Sequence, residues 1–419
     1  MKPMRILFFT NTPSNYTQRK GGYNGGGWIS SLESELSGRE EIELAVSFFL
    51  DGQPRRVESR SGVVYYPLPT GQSLPRKLSG LLTPHAQAHE RKTWKAIERK
   101  LLAVVDDFKP DLIEVFGSER QFGLIASQTQ VPVVLHIQGI LTPYYNAFLP
   151  PFISLHNYLY ASRRPVDILR KIQSVRSWRC SVMREQEILR RVNYYIGRTD
   201  WDYRITHIYN PRSQYFYGSE ILRPVFYEPC KRRIPKRLTI VTTISQPLYK
   251  GFDVVLKTAQ LLKQTMQINF RWLCFGNIDP RAVERQTGSR HREVDIALMG
   301  VATAEQLRDA MLHATVYVHT SYIDNSPNSL CEAQILGLPT ISTNVGGVSS
   351  LVDDGVTGFL TPANDPYQMA YLISSLHADL ERNIAMGKAA AQAARRRHDP
   401  TAIVDSLIRT YRHILTPAR

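Results

Sequence analysis

The sequence predicts an α/β protein made of two Rossmann-like domains, each a parallel sheet covered by helices on both faces. Three observations predict it. The 419 residues exceed what one ordinary core organises, so two domains are expected. In both halves, short apolar runs rich in β-branched residues alternate with segments of helical period, the pattern of strand, right-handed crossover and parallel strand. Between the halves lies a proline- and charge-rich stretch of weak periodicity. The expected division is residues 1–205, a linker over 206–236, a second domain over 237–395, and a final helix within 396–419 that crosses back to the first domain.

In the first half the strand candidates are "RILFFT", "IELAVSFF", "GVVYYPL", "DLIEVFG", "PVVLHIQG" and "NYYIGRT". "ERKTWKAIERKLLAVVDDF" places apolar residues at helical spacing between two of them. In the second half come "RLTIVTT", "FRWLCFGN", "VDIALMG", "TVYVHTS", "PTISTN" and "TGFL", with "DVVLKTAQLLKQ" and "AEQLRDAMLHA" as helices. No internal repeat or low-complexity tract interrupts the alternation.

Composition narrows the class. Hydrophobic residues make up 43% and charged residues 21%, as in soluble globular proteins. No apolar run reaches about 18 residues, so no spanning helix is expected. The start "MKPMRILFF" has too short an apolar stretch for a secretory leader and reads as the first strand. Cys180, Cys230, Cys274 and Cys331 are far apart and have no metal-ligand spacing, so no metal site or disulfide framework is expected and a cytoplasmic setting is the default. The net charge of +15 favours anionic partners. Between Arg163 and Arg204 eleven basic residues face five acids, and "TPYYNAFLPPFISLHNYLY" precedes them. This reads either as a solvated helix face or as a basic amphipathic surface in peripheral contact with an anionic membrane.

In open parallel sheets, ligands bind beyond the carboxyl ends of the strands. That rule selects "KGGYNGGGW" with Gly25, Gly26 and Gly27, a glycine-rich approach to a helix start suited to phosphate or to plain flexibility. It also selects His136 in "HIQG", Arg198 and the pair Asp200, Asp202 in "GRTDWD", and the loop "SYIDNSPNS". Asp200 and Asp202 read as an ion-pair network more readily than as metal ligands. Lys250 in "LYKGFD" stands at a helix start, where an ammonium offsets phosphate charge.

The segment "DNSPNSLCEAQILG" is the most informative. Asp324 lies on a loop, and Glu332 follows inside a helix closed by Gly337. Ser326 or Asn328 is expected to cap this helix, with Pro327 in its first turn, and the N–H groups of Asn328, Ser329 and Leu330 to face an anion. The spacing Asp324-x7-Glu332-Ala333, then Gly337-Leu338-Pro339, Gly346-Gly347 and Asp354-Gly355 through Gly358-Phe359-Leu360, resembles the nucleotide-sugar signature of the retaining family 4 glycosyltransferases, which have the GT-B fold. Lys250-Gly251 and "GVATAEQLRDAM" at Gly300 also lie where that family has theirs. The resemblance is strong from Leu238 to about Asn364, and in the first half rests on the glycine loop and strand pattern.

The resemblance implies a nucleoside-diphosphate sugar as donor and a glycan or lipid-linked acceptor, with retained anomeric configuration and no metal or other cofactor. It implies Glu332 on the ribose hydroxyls, Asp324 on the transferred sugar, Lys250 on the diphosphate, and His136 at the donor sugar or acceptor. The chain departs from the family in having Asp324 where glutamate is usual and no arginine shortly before Lys250. Arg198 is the substitute cation the sequence offers. A nucleotide-sugar epimerase on the same scaffold is the nearest rival reading. A nucleic-acid-binding protein lacks a reading motif, and a nicotinamide oxidoreductase lacks the glycine fingerprint.

Overall fold

The computed structural model describes residues 2–17, 27–59, 61–69, 86–151, 153–160, 164–245 and 248–416. The first sheet holds β1 (Met4–Phe9), β2 (Ile42–Phe49), β3 (Val57–Glu58), β4 (Val64–Leu68), β5 (Leu112–Phe116), β6 (Val133–His136), β7 (Tyr194–Gly197) and β8 (Gln214–Tyr217). Its order is β3-β4-β2-β1-β5-β6-β7-β8, parallel except for the β3–β4 pair. The second sheet holds β9 (Leu238–Thr243), β10 (Phe270–Phe275), β11 (Ile296–Gly300), β12 (Val316–His319), β13 (Thr340–Thr343) and β14 (Phe359–Thr361). It is parallel throughout, in the order β11-β10-β9-β12-β13-β14.

The central strands are apolar on both faces because helices cover both. On one face of the first sheet Leu7, Phe9, Val115 and Leu135 pack with Val105 and Ile188, from the helices Ala86–Phe108 and Pro165–Arg191. On the other, Ile6, Phe8, Val46 and Phe116 pack against Trp28 and Leu32 of the helix Gly27–Ser37.

The last helix, Pro400–Leu415, joins this same face: Val404, Leu407, Ile408, Tyr411 and Ile414 are all buried in it. Their spacing is that of one helical stripe, and burying each such side chain contributes about 2 kcal/mol. Asp399 starts the helix by accepting from the Ala402 N–H, with Pro400 at its first position. The chain thus returns to the first domain, as expected.

The expected linker needs correction. The helix Asp200–Tyr209 runs through residue 205, and β8 pairs with β7, so the first sheet extends to Tyr217 inside the stretch read as connection. The sequence "QYFY" is half-exposed at a sheet edge. A short edge strand has no buried run to announce it.

In each sheet the order reverses beside the first strand, between β1 and β5 and between β9 and β12. Crevices form beyond the carboxyl ends of the strands at such switch points. In this fold the crevices lie beside the strand ends of β1, β5, β9 and β12.

Candidate functional site

Lys250 ends a short 3-10 turn after β9, and Gly251 follows with φ +78. A Cβ on Gly251 would sit 2.0 Å from the Thr320 carbonyl oxygen. Only glycine lets this turn press onto the loop after β12, and that contact carries Lys250 Nζ to 2.7 Å from Asp324 Oδ2. His319 Nε2 lies 2.9 Å from the same oxygen, and Ser321 Oγ donates to it at 3.3 Å. Burial by itself would raise the Asp324 carboxyl, but the Lys250 ammonium and His319 overcome it and hold it well below the usual carboxylate range.

The Gly346-Gly347 loop has a similar cause. Gly346 has φ +55, a Cβ there would fall 1.9 Å from the Asp324 carbonyl oxygen, and the Gly347 N–H donates to that oxygen at 3.0 Å. Both glycine elements of the motif let backbone approach and fix the Asp324 loop.

The helix begins at Asn328, and its N-cap is Pro327, without a side-chain cap. The expected capping by Ser326 or Asn328 is therefore corrected. Ser326 Oγ donates instead to Glu220 at 2.9 Å. The Leu330 N–H is also withdrawn from the expected set, since it donates to the Pro327 carbonyl at 2.9 Å. Asn328 and Ser329, in the first turn, have no intrahelical acceptor for their N–H groups, so these are the two left to face a ligand. Ser329 Oγ is held by Thr243 and Tyr317, both at 2.7 Å.

Glu332 lies one turn further in and is buried, yet it is not a solitary helix acid. Arg223 grips it with both arms, Nε to Oε1 at 2.7 Å and Nη2 to Oε2 at 2.7 Å. Burial pushes the Glu332 carboxyl up, and Arg223 opposes that rise. Arg223 lies between β8 and the next helical turn, in the stretch read as linker, and no local signal marked it.

Arg198 is buried over the Trp28 ring at 4.5 Å, with Nε 3.3 Å from Glu220 Oε2. Its charge faces the Glu220 carboxylate, and among the described residues it makes no hydrogen bond or ion pair with Lys250, Asp324 or Glu332, so the structure does not bring it together with the groups for which the sequence offered it as an extra phosphate cation. Asp202 completes a capping box with Thr199 and accepts from Tyr215, and its Oδ2 accepts from Asn325 Nδ2 at 2.9 Å. Thr199 Oγ1 donates to Asn325 Oδ1 at 2.6 Å. Asn325, directly after Asp324, therefore latches the loop after β12 to the first domain.

His136 is corrected as well. It is the last residue of β6, and strand alternation turns its ring onto the face under Trp28 and Phe116, at 5.0 and 5.4 Å. Its Nδ1 pairs with Glu114 at 2.7 Å, and Tyr411 of the returning helix donates to the same carboxylate. There it lines a cavity of about 180 Å³ with Ile196, Ile221 and Leu407. Among the described residues it has no hydrogen bond to Lys250 or Asp324. Two positions further on, the Gln138 carbonyl accepts from Asn325 Nδ2 at 3.4 Å, and Gln138 Nε2 is buried without a partner. Gln138 is the residue this strand end presents to the second domain.

Gly27 opens its helix and lies against Arg223, 3.4 Å from Arg223 Cγ to where a Cβ would stand. Gly25 and Gly26 lie outside the described residues. Gly300 ends the edge strand β11 with φ +71 and open space where a Cβ would stand.

Other residues the sequence did not single out stand between the domains. Tyr144 and Tyr249, one from each, have ring centroids 5.3 Å apart. Both hydroxyls lie within electrostatic reach of Asp324 and Glu119. Glu119 follows β5 and accepts from Asn11, which follows β1, at 2.9 Å. Burial pushes the Glu119 carboxyl up to about 7, and Glu185 adds to the rise.

Among the described residues, Glu220, Cys331 and His398 form one trio close enough to hold a metal ion. Both ring nitrogens of His398 are engaged, by the Glu220 carbonyl and by Arg397. Arg198 already faces Glu220, so the trio has neither a spare imidazole lone pair nor uncompensated charge.

Residues 235–379 match the family described as Glycosyl transferases group 1. A D-inositol 3-phosphate glycosyltransferase of Paenarthrobacter aurescens is 30% identical over 152 residues, 35% of this chain and 36% of that protein. The chain spans little more than a third of the length of the curated relatives it matches first. Whole-chain similarity comes from solved structures. Sucrose-phosphate synthase from Thermosynechococcus elongatus aligns with a TM-score of 0.72 at 17% identity, over 98% of this chain and 99% of that one. HepE of Anabaena, solved with UDP-glucose, aligns with a TM-score of 0.64 at 15% identity, over 98% and 100%. The protein has the GT-B fold, and the segment carrying the Lys250–Asp324 pair and Glu332 is the one that matches the glycosyl transferases group 1.

Proposed function

We propose that the protein is a retaining glycosyltransferase that moves a sugar from a nucleoside-diphosphate sugar to a hydroxyl of a glycan or lipid-linked acceptor, in the synthesis of a cell-surface polysaccharide. The observation that carries this reading is the Lys250–Asp324 pair beside the uncapped start of the Asn328 helix, with Glu332 one turn further along.

Each group has a role in it. As the glycosidic bond breaks, negative charge grows on the leaving diphosphate, and Lys250 with the N–H groups of Asn328 and Ser329 stabilises it. Asp324, kept ionised, accepts from hydroxyls of a sugar that becomes oxocarbenium-like. Glu332 accepts from the ribose. The reading calls for no metal, because the ammonium and the helix amides supply the positive charge. The Asn325 latch to Thr199 and Asp202 holds the domains together while transfer excludes water.

The test is thermal unfolding with UDP-, GDP- and ADP-sugars, UDP-glucose first because HepE was solved with it. One donor at a hundredfold excess over its Kd is expected to add about 2.7 kcal/mol and raise Tm by a few degrees. A panel that leaves Tm unmoved would overturn the reading.

The reading includes a cytoplasmic protein resting peripherally on an anionic membrane. No helix among the described residues is long and apolar enough to cross one. Val166 and Leu169 are 57% and 52% exposed at the start of the helix Pro165–Arg191, where Arg176 and Arg179 are also exposed. Apolar and basic side chains together suit an anionic interface. Sedimentation with vesicles containing phosphatidylserine is expected to retain the wild-type protein at low salt. Arg176→Glu with Arg179→Glu should release it, and equal retention would count against this surface.

A further inference from the structure

Arg223 and Glu332 form a bidentate ion pair, with both arms of the guanidinium on the two carboxylate oxygens. A ribose diol presents two O–H donors to a carboxylate at similar spacing. Diol and guanidinium therefore compete for the same lone pairs, and Glu332 cannot serve both through the same face. The carboxylate is 3% exposed and Arg223 26%, so the arginine is the partner free to leave. It lies on no regular element, with its guanidinium over the Phe226 ring at 5.0 Å.

Its surroundings tell where it goes. The stem runs along Gly27 at the start of one helix, and the guanidinium reaches the helix that starts at Asn328. Its guanidinium therefore lies one turn inside the helix whose first-turn N–H groups of Asn328 and Ser329 have no intrahelical acceptor. The loop between Thr242 and Lys250 holds no arginine to meet a diphosphate.

We propose that Arg223 is an exchangeable cation: it neutralises Glu332 while the site is empty, and a nucleoside diphosphate displaces it, the ribose taking Glu332 and the guanidinium turning onto the diphosphate. This rests on the donor reading above. Arg223 is then a donor-binding residue supplied by the segment that joins the domains.

The test is calorimetric titration of wild type, Arg223→Met and Arg223→Lys with uridine, UMP and UDP, and with the guanosine and adenosine series. In Arg223→Met the nucleoside is expected to bind about tenfold tighter, because its competitor for Glu332 is gone. The gain in affinity from monophosphate to diphosphate should shrink by about tenfold, and Arg223→Lys should fall between. Glu332→Gln, which frees Arg223 without removing it, should weaken the nucleoside and keep the diphosphate gain. If wild type binds nucleotides and Arg223→Met shows the same nucleoside affinity and diphosphate gain, the exchange is wrong and the donor reading stands. If wild type binds no nucleotide of any series, the donor reading falls and takes the exchange with it. Circular dichroism of each variant separates lost binding from lost fold.

Discussion

Replacing Lys250 by methionine is expected to lower sugar transfer by about 10²–10³-fold, the usual consequence of removing one preorganised group that stabilises developing negative charge. Methionine keeps the apolar stem, so the packing of the turn against Thr320 should survive. Stability changes as well. Lys250 is one-fifth exposed and Asp324 nearly buried, so the substitution leaves the carboxylate with His319 and Ser321 as its remaining side-chain partners. Breaking such a pair costs about 3 kcal/mol. The sign of its pH dependence follows from the depressed Asp324 carboxyl. A depressed acid contributes stability that is fully present above its unfolded value near 3.8 and lost as pH falls. Urea titration should therefore show the gap between wild type and Lys250→Met at pH 7 and show it closing as pH falls below 3.8. Wild-type transfer by the variant would refute the assigned role.

Glu119→Gln is expected to stabilise the protein at alkaline pH and leave it unchanged in acid. The Glu119 carboxyl is pushed up to about 7, so between 4.5 and 7 the folded state holds a proton that the unfolded chain releases. Stability is then complete below 4.5 and declines as pH rises through 7, by on the order of 3 kcal/mol for a shift of this size. Glutamine keeps the neutral form and can still accept from Asn11. Denaturant midpoints at pH 4 should match, and at pH 8.5 the variant should unfold later. The same offset at both pH values would show that Glu119 titrates normally.

How much of the molecule is legible in the sequence depends on the range of the forces involved. Twelve of the fourteen strands among the described residues could be read from their runs, because a strand covered on both faces must be apolar along its length. β3 and β8, short and at sheet edges, carry no such run. The motif around Asp324 was legible as a spacing of acids and glycines that resembles a family signature. The structure supplies the reason for two of those glycines: a Cβ on Gly251 or Gly346 would stand 2.0 or 1.9 Å from a backbone carbonyl oxygen. The returning helix was expected from the sequence, and the structure shows the apolar stripe that seats it.

The partners of the site residues were not legible. Nothing near Glu332 in the chain tells that Arg223, 109 residues earlier, will grip it. Nothing near His136 tells that Glu114, itself held by Tyr411, will pair with its ring beneath Trp28. From the sequence came the two sheets, the crevice at their strand ends, and the spacing of acids and glycines around Asp324. Only the tertiary structure decided which charges neutralise one another, which helix amides stay open, and which side chain at a strand end faces the other domain. Propensity and steric demand act over a few residues and leave a mark on composition. Ion pairs and burial act between residues that are neighbours only once the chain has folded.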